Sequence, residues 1–234
     1  MNQKNLMLNV LAIETSTEVC SVAVSVSGEL LLLEKHVGQR HSEVILPMID
    51  QLILDSGISL QQMDVIGFGA GPGSFTGVRL ACSVAQGLAF GVSVPVVPVS
   101  SLEALAQATN FEKVLICQDA RMNQVYFATY ERKDSSWVPL TEPCVCDPQE
   151  VTVPMGGGWI ACGSGFISYE EEFKSYFGLS GLTVNVDHIN PPAREVLLIA
   201  EREFSNGRYV AAENAAPTYV RNKVALTLDE QASR

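Results

Sequence analysis

The stretch Cys117–Tyr130, "CQDARMNQVYFATY", decides the fold, because it restarts a pattern the chain has already run once at Ile13–Val24, "IETSTEVCSVAV". In both, an apolar strand ends on an acid, a polar turn follows, and a second strand returns. Around the first copy, Asn9–Ile13 reads as a buried strand and Thr15–Thr17 as a turn. Val19–Ser27 alternates, Gly28-Glu29 turns the chain, and Leu30–Val37 comes back. A helical stripe follows over His41–Asp55, with Pro47 expected to kink it or mark its edge and Gly57 ending it. Val65–Ala70 is a strand, Phe75–Phe90 a helix and Val94–Val99 a strand. Ser101 is expected to cap a helix running to Thr109. Around the second copy, Val114–Gln118 is a strand, Asp119-Ala120-Arg121 a turn and Gln124–Tyr130 a strand, with Trp137–Leu140 a candidate third. Ile160–Cys162 is another strand, and Tyr169–Phe177 and Pro192–Phe204 are helices; the tail from Leu226 reads as frayed.

Hairpin strands mixed with crossover units predict an α/β fold of two duplicated lobes, each a mixed sheet flanked by helices. The repeat lies in the order of elements rather than in matched residues. The expected division is 1–105 for the first lobe and 106–234 for the second, with the tail from about 214 packing back on the first.

Composition narrows the function. The 234 residues are 47% hydrophobic, with a net charge of −11 and a pI near 4.7. Such a surface repels a phosphate backbone, which argues against strong nucleic-acid binding by the chain alone, and it favours a basic partner surface. The six cysteines form no CxxC pair; Cys144 and Cys146 make a lone CxC, and the plain reading is reduced thiols in the cytoplasm. "MNQKNLMLNVLAIETS" has neither a cleavage pattern nor the length of a membrane span. Val78–Val99 is apolar, but Arg79, Gln86, Pro95 and Pro98 interrupt it, so no membrane association is expected.

The glycine-rich run Gly69–Gly91, "GAGPGSFTGVRLACSVAQGLAFG", is the richest local signal. A P-loop needs G-x-x-x-x-G-K-[ST], and no lysine lies between Lys35 and Lys113. A dinucleotide fingerprint needs G-x-G-x-x-G, whereas the spacing from Gly71 is G-x-G-x-x-x-G. Two readings stay open. One is a tight strand-to-helix turn capped by Ser74; the other is an anion site built by Gly71, Gly73, Ser74, Thr76 and Gly77 at a helix start. In the helix that follows, Ala81, Ala85 and Ala89 are spaced four apart, as are Ser83, Gly87 and Gly91, and Arg79 is its one charge. A mid-helix glycine such as Gly87 costs roughly 1 kcal/mol relative to alanine, which close helix approach would offset. Either the helix is core, or Arg79, Ala81, Ser83, Ala85 and Gly87 join Val44, Met48 and Leu52 in a contact with another chain.

"LAIETSTEVCSVAV", "HSEVILPMIDQLI", "GAGPGSFTGVR", "VPVSSLEALA", "DARMNQVYFATY" and "AENAAPTYVRNKVA" occur in this order over nearly the whole chain. Together they resemble the bacterial TsaB (YeaZ) family. The resemblance implies the ASKHA fold of actin, Hsp70 and sugar kinases. It also implies a part in forming N6-threonylcarbamoyladenosine at position 37 of tRNAs reading ANN codons. There, TsaC makes the adenylate, TsaD transfers the group, and the ATPase TsaE cycles the complex. The family member is a non-catalytic activator paired with TsaD through first-lobe helices, and it also forms a homodimer through them. It binds no cofactor alone; ATP or ADP and a divalent metal sit on partner subunits, and tRNA is met only within the complex.

The residues agree with a non-catalytic part. His36, His41 and His188 form no H-x-x-x-H pair, the spacing that places two ligands on one metal. ASKHA phosphotransferases carry an Asp-x-Gly turn in each lobe. Here the turns hold Glu14-Thr15-Ser16 and Asp119-Ala120-Arg121, so Glu14, Thr15 and Asp119 read as relics that order turns. "GGGW" and "GSGF" read as glycine turns around a strand or as an adenosine loop. The competing classes are a small ASKHA ATPase or kinase and a glycoprotease-like metallopeptidase.

Overall fold

The computed structural model describes residues 7–134, 136–177, 182–185 and 190–220. The expectations for His188 and for the tail from Leu226 lie outside these residues. The first lobe opens with strands β1 (Val10–Glu14), β2 (Val19–Val26) and β3 (Glu29–His36). Helix α1 (His41–Ser56), strand β4 (Val65–Gly71), helix α2 (Phe75–Val92), strand β5 (Val96–Ser100) and helix α3 (Ser101–Gln107) follow. The second lobe repeats the plan with β6 (Lys113–Arg121), β7 (Gln124–Lys133), β8 (Ser136–Cys146), β9 (Ile160–Cys162), α4 (Gly165–Ser168), α5 (Glu170–Phe177) and β10 (Thr183–Asn185). Helix α6 (Ala193–Ser205) comes after them.

The two sheets have one topology. The first runs β3-β2-β1-β4-β5 and the second, read in the matching sense, β8-β7-β6-β9-β10. In each, the three opening strands pair antiparallel and the last two add in parallel. The duplication suggested by the element order is therefore a duplication of sheets. Strand β1 is buried on both faces, which is why "VLAIE" lacks polar alternation. Its period of two still sorts the faces: Leu11 and Ile13 join the α1–α2 core, whereas Val10 and Ala12 meet α6.

The final helices of the lobes are exchanged. Leu102 and Leu105 of α3 enter the core of the second sheet beside Val114 and Ile116. Val196, Leu197 and Ala200 of α6 pack on the first sheet with Val65 and Val97. A Cβ on Gly67 of β4 would lie 2.6 Å from Ala200 Cβ, so a glycine there sets how closely α6 can approach. The sequence division after residue 105 falls within this exchange. Beyond α6 the chain returns to the first lobe: Val210 bridges Val96, and the Thr218 N–H donates to the Ala70 carbonyl at 2.8 Å.

Three local expectations need correction. The cap of α3 is Ser100, whose hydroxyl accepts from the Glu103 N–H; Ser101 lies inside the helix and donates its own hydroxyl elsewhere. Nor is Asp119-Ala120-Arg121 a turn. Strand β6 runs through it, and the reversal is at Met122 and Asn123, both at positive φ as a two-residue hairpin turn requires. Helix α1 is continuous through Pro47, which sits on the exposed side with Glu43, one turn earlier.

Candidate functional site

A cleft of about 700 Å³ separates the lobes. The β1–β2 turn and the glycine loop form one wall; the β6–β7 hairpin and the start of α4 form the other. The glycine loop is not an open cradle. A Cβ on Gly73 would lie 2.4 Å from Ser16 Cβ, and one on Gly77 would lie 1.9 Å from the Thr15 carbonyl oxygen. The Ser74 N–H donates to the Ser16 carbonyl at 2.7 Å, and the Thr15 hydroxyl donates to the Gly77 carbonyl at 2.7 Å. The Ser74 side chain caps α2 by accepting from the Gly77 N–H, while exposed Thr76 sits in the first turn. Gly71, at φ 100, turns the chain into the loop. The start of α2 is thus docked on the β1–β2 turn along a seam of backbone contacts.

The two acids face different surroundings, and both are satisfied by the chain. Glu14 is 1% exposed. It accepts from the Ser16 N–H at 2.6 Å and from the Ser101 hydroxyl at 2.8 Å. Burial pushes its carboxyl above the usual range, and the hydrogen bonds from Ser16 and Ser101 oppose that only in part. Gly69 makes the room: a Cβ there would lie 1.9 Å from Glu14 Oε2.

Asp119 is ringed by donors. Its Oδ1 accepts from the Arg121 N–H at 2.7 Å and the Tyr169 hydroxyl at 3.1 Å. Its Oδ2 accepts from Arg121 Nη1 at 3.1 Å and the Ser168 hydroxyl at 3.4 Å. Arg121 then reaches across the cleft mouth, placing Nη2 3.3 Å from Glu18 of the first lobe; Glu18 also meets His36 at 3.3 Å. A second bond crosses the cleft deeper in, from the Tyr126 hydroxyl to the Gly73 carbonyl at 3.3 Å. A divalent cation at Asp119 would have to displace a guanidinium, and one at Glu14 would need a desolvated carboxyl to ionise. These donor sets do not fit a metal-phosphate site. Among the described residues no three His, Cys, Asp or Glu side chains are grouped to hold a metal ion. His41 is buried at the start of α1, with Nε2 unpartnered and its pKa lowered by desolvation. "GGGW" and "GSGF" flank β9, and Gly163 at φ 115 lies against the Cys117 carbonyl.

The residues named for a chain contact divide by face. Met48, Leu52, Ala81 and Ala85 are at most 2% exposed and pack within the first lobe, so they are corrected from surface to core. The alanine row needs small residues because α2 lies on the sheet. Val44 is half-buried, and Arg79, Ser83 and Gly87 are exposed along the outer face of α2. Phe90, 70% exposed, and Gly91 extend that face, and α1 adds Leu46 and Leu54. Sequence reasoning missed Gly69, Glu18 and Tyr219. Gly69 had a signal, since it lies four before Gly73. Glu18 and Tyr219 had none, because Arg121 and Arg79 are brought to them only by the fold.

A family model for TsaD, tRNA N6-adenosine threonylcarbamoyltransferase, matches residues 35–226. The tRNA threonylcarbamoyladenosine biosynthesis protein TsaB of Haemophilus influenzae is 37% identical over 230 residues, covering 93% of this chain and 95% of that protein. The chain belongs to the TsaB family. TsaB of Escherichia coli K12 is also 37% identical, over 93% of this chain and 96% of its own length. The solved structure of YeaZ from Pseudomonas aeruginosa superposes with a TM-score of 0.83 at 34% identity, covering 91% of this chain and all of that one. The chain therefore has the two-lobed ASKHA-like α/β fold expected from its sequence.

Proposed function

We propose that this chain is a non-catalytic partner and activator of a TsaD-type threonylcarbamoyltransferase, acting in the cytoplasm on N6-threonylcarbamoyladenosine formation at position 37 of ANN-reading tRNAs. The observation that carries this reading is the state of the two cleft acids. Glu14 is sealed behind Ser16 and Ser101, and Asp119 is occupied by Arg121, Tyr169 and Ser168. Neither offers a free carboxylate to a metal or an attacking group, as phosphoryl transfer requires. The outer sides of α1 and α2 support the partner role: α1 exposes Leu46 and Leu54, and α2 exposes Phe90 together with the small residues Ser83 and Gly87. In this reading ATP or ADP and the divalent metal belong to partner subunits, TsaE joins through the TsaB–TsaD pair, and tRNA is met only in the complex. Self-association would use the same face.

Reconstitution tests it. The cognate TsaC, TsaD and TsaE are mixed with tRNA, threonine, bicarbonate and ATP, and modified adenosine is counted with and without this chain. Product that depends on the chain is expected. Equal product in its absence, or ATP turnover by the isolated chain, would overturn the reading.

A further inference from the structure

Arg79 is the one positively charged residue in α1 and α2. The chain carries 26 Asp and Glu against 15 Lys and Arg, so carboxylates are plentiful. Yet among the described residues Arg79 has no carboxylate partner. Its Nε donates to the Tyr219 hydroxyl at 2.8 Å, its guanidinium carbon lies 3.2 Å from the centre of the Phe75 ring, and the Tyr219 ring lies 5.3 Å away. Phe75 and Tyr219 are themselves 46% and 54% exposed. The strap that delivers Tyr219 is pinned twice, by Thr218 on Ala70 and by Gln86 on the Ala212 carbonyl at 3.0 Å. Among the described residues the clamp thus uses only Nε and the faces of the guanidinium, and neither terminal amino group has a hydrogen-bond partner.

We propose that Arg79, held between Phe75 and Tyr219, is a preorganised receptor for a carboxylate side chain of the protein that docks on the α1–α2 face. This rests on the partner reading above and names what the partner must bring. Four physical points support it. A free arginine loses side-chain entropy when it binds, and the clamp has already taken that loss. Two unengaged amino groups on one planar fork match the two oxygens of a carboxylate, as a lysine ammonium does not. The clamp continues directly into the uncharged row of Ser83, Gly87 and Phe90, so an apolar helix carrying one acid would place both together. Exposed aromatic rings around an arginine are also the residue types that carry most binding energy in protein interfaces.

The test is the affinity of the full chain for its cognate TsaD-family protein, measured by titration calorimetry without nucleotide, with circular dichroism as the folding control. Arg79→Ala should weaken binding about tenfold to a hundredfold. Arg79→Lys should recover only part of the loss, and Tyr219→Phe, which keeps the ring, should lose a few-fold. Arg79→Glu should be rescued by exchanging one partner acid for lysine. No binding by the wild-type chain would overturn both this proposal and the partner reading. Tight wild-type binding with Arg79→Ala unchanged would overturn this proposal alone. So would an Arg79 dependence seen only when ATP or ADP is added, which would identify a phosphate as the anion. A loss of self-association with partner binding intact would make a second copy the occupant, and would equally sink it.

Discussion

Gly69, Gly73 and Gly77 lie four apart; Gly69 faces the Glu14 side chain at the end of β1, and Gly73 and Gly77 face Ser16 and Thr15 of the β1–β2 turn, each closer than a Cβ would allow. Gly77→Ala would put a methyl group 1.9 Å from the Thr15 carbonyl oxygen, which is backbone and has little room to yield. Overpacking of this kind costs about 3 kcal/mol or more, so urea denaturation should show a loss of at least that size. Gly87 is the contrast. Nothing lies within 4 Å of a Cβ there, and the site is an exposed helix interior. Gly87→Ala should stabilise the chain by about 0.5–1 kcal/mol, and Gly87→Leu should still fold while blocking helix approach from outside. Glu14 belongs to this scale too. Its pKa is raised by burial, so the stability linked to its proton is complete below the ordinary value of 4.5 and is lost as pH climbs through the folded value. Glu103 and Glu195 are raised for the same reason and add to the same slope. Glu14→Gln keeps both hydrogen-bond positions without the charge. Denaturation midpoints measured from pH 4 upward should fall less steeply for it than for the wild type; an unchanged slope would show that Glu14 titrates normally.

At the scale of elements, the exchange of α3 and α6 is tied by charge as well as by leucines. Arg202 of α6 donates from Nη2 to Glu103 of α3 at 2.9 Å, and from Nε to Glu203 at 3.1 Å. The Arg202 and Glu103 side chains are about four-fifths buried. Removing the cation leaves a partly desolvated carboxylate behind, so Arg202→Met should cost roughly 3 kcal/mol, the lower end for a broken buried pair. The Arg121–Glu18 pair across the cleft is exposed on both sides, and such pairs contribute roughly 0.2–1 kcal/mol. Arg121 also sits at φ 60, which glycine would relieve. Arg121→Gly should therefore leave stability within about 1 kcal/mol of the wild type. A larger loss in thermal denaturation would mean that the Arg121 bonds, to Glu18 across the cleft and to the less exposed Asp119, carry more than such pairs usually do.

For the molecule as a whole, the exchange means that neither lobe owns its core. The first sheet has α1 and α2 on one face, and its other face is covered by a helix that the chain makes only after finishing the second sheet. A fragment of residues 1–105 would expose Val10, Ala12, Val65 and Val97 to water, and it should not fold alone. The intact chain should unfold in one transition, because α3 and α6 fasten each sheet to the other lobe's chain. Two separate calorimetric transitions, or a cooperatively folded 1–105 fragment, would show the lobes to be independent.

The elements were legible because local chemistry fixes them. Period-two and period-3.6 patterns placed most strands and helices within a few residues, and the acid–turn–strand repeat marked the second lobe; the short β10 and α4 had no such pattern, and β8 runs to Cys146, past the expected end at Leu140. The glycine row signalled a close approach without saying to what. The rest depends on contacts between residues far apart in the chain. Met48 and Ser83 look alike as members of a helical stripe, and only the sheet beneath them makes one core and the other surface. Ser100 and Ser101 are equally good caps in sequence; the buried carboxyl of Glu14 takes the second and leaves the first for the helix. Asp119 reads as a catalytic relic until Arg121, Tyr169 and Ser168 converge on it. Pattern along the chain sets which face of an element is apolar. Tertiary structure alone decides what covers that face, and therefore which polar groups still have bonds to offer.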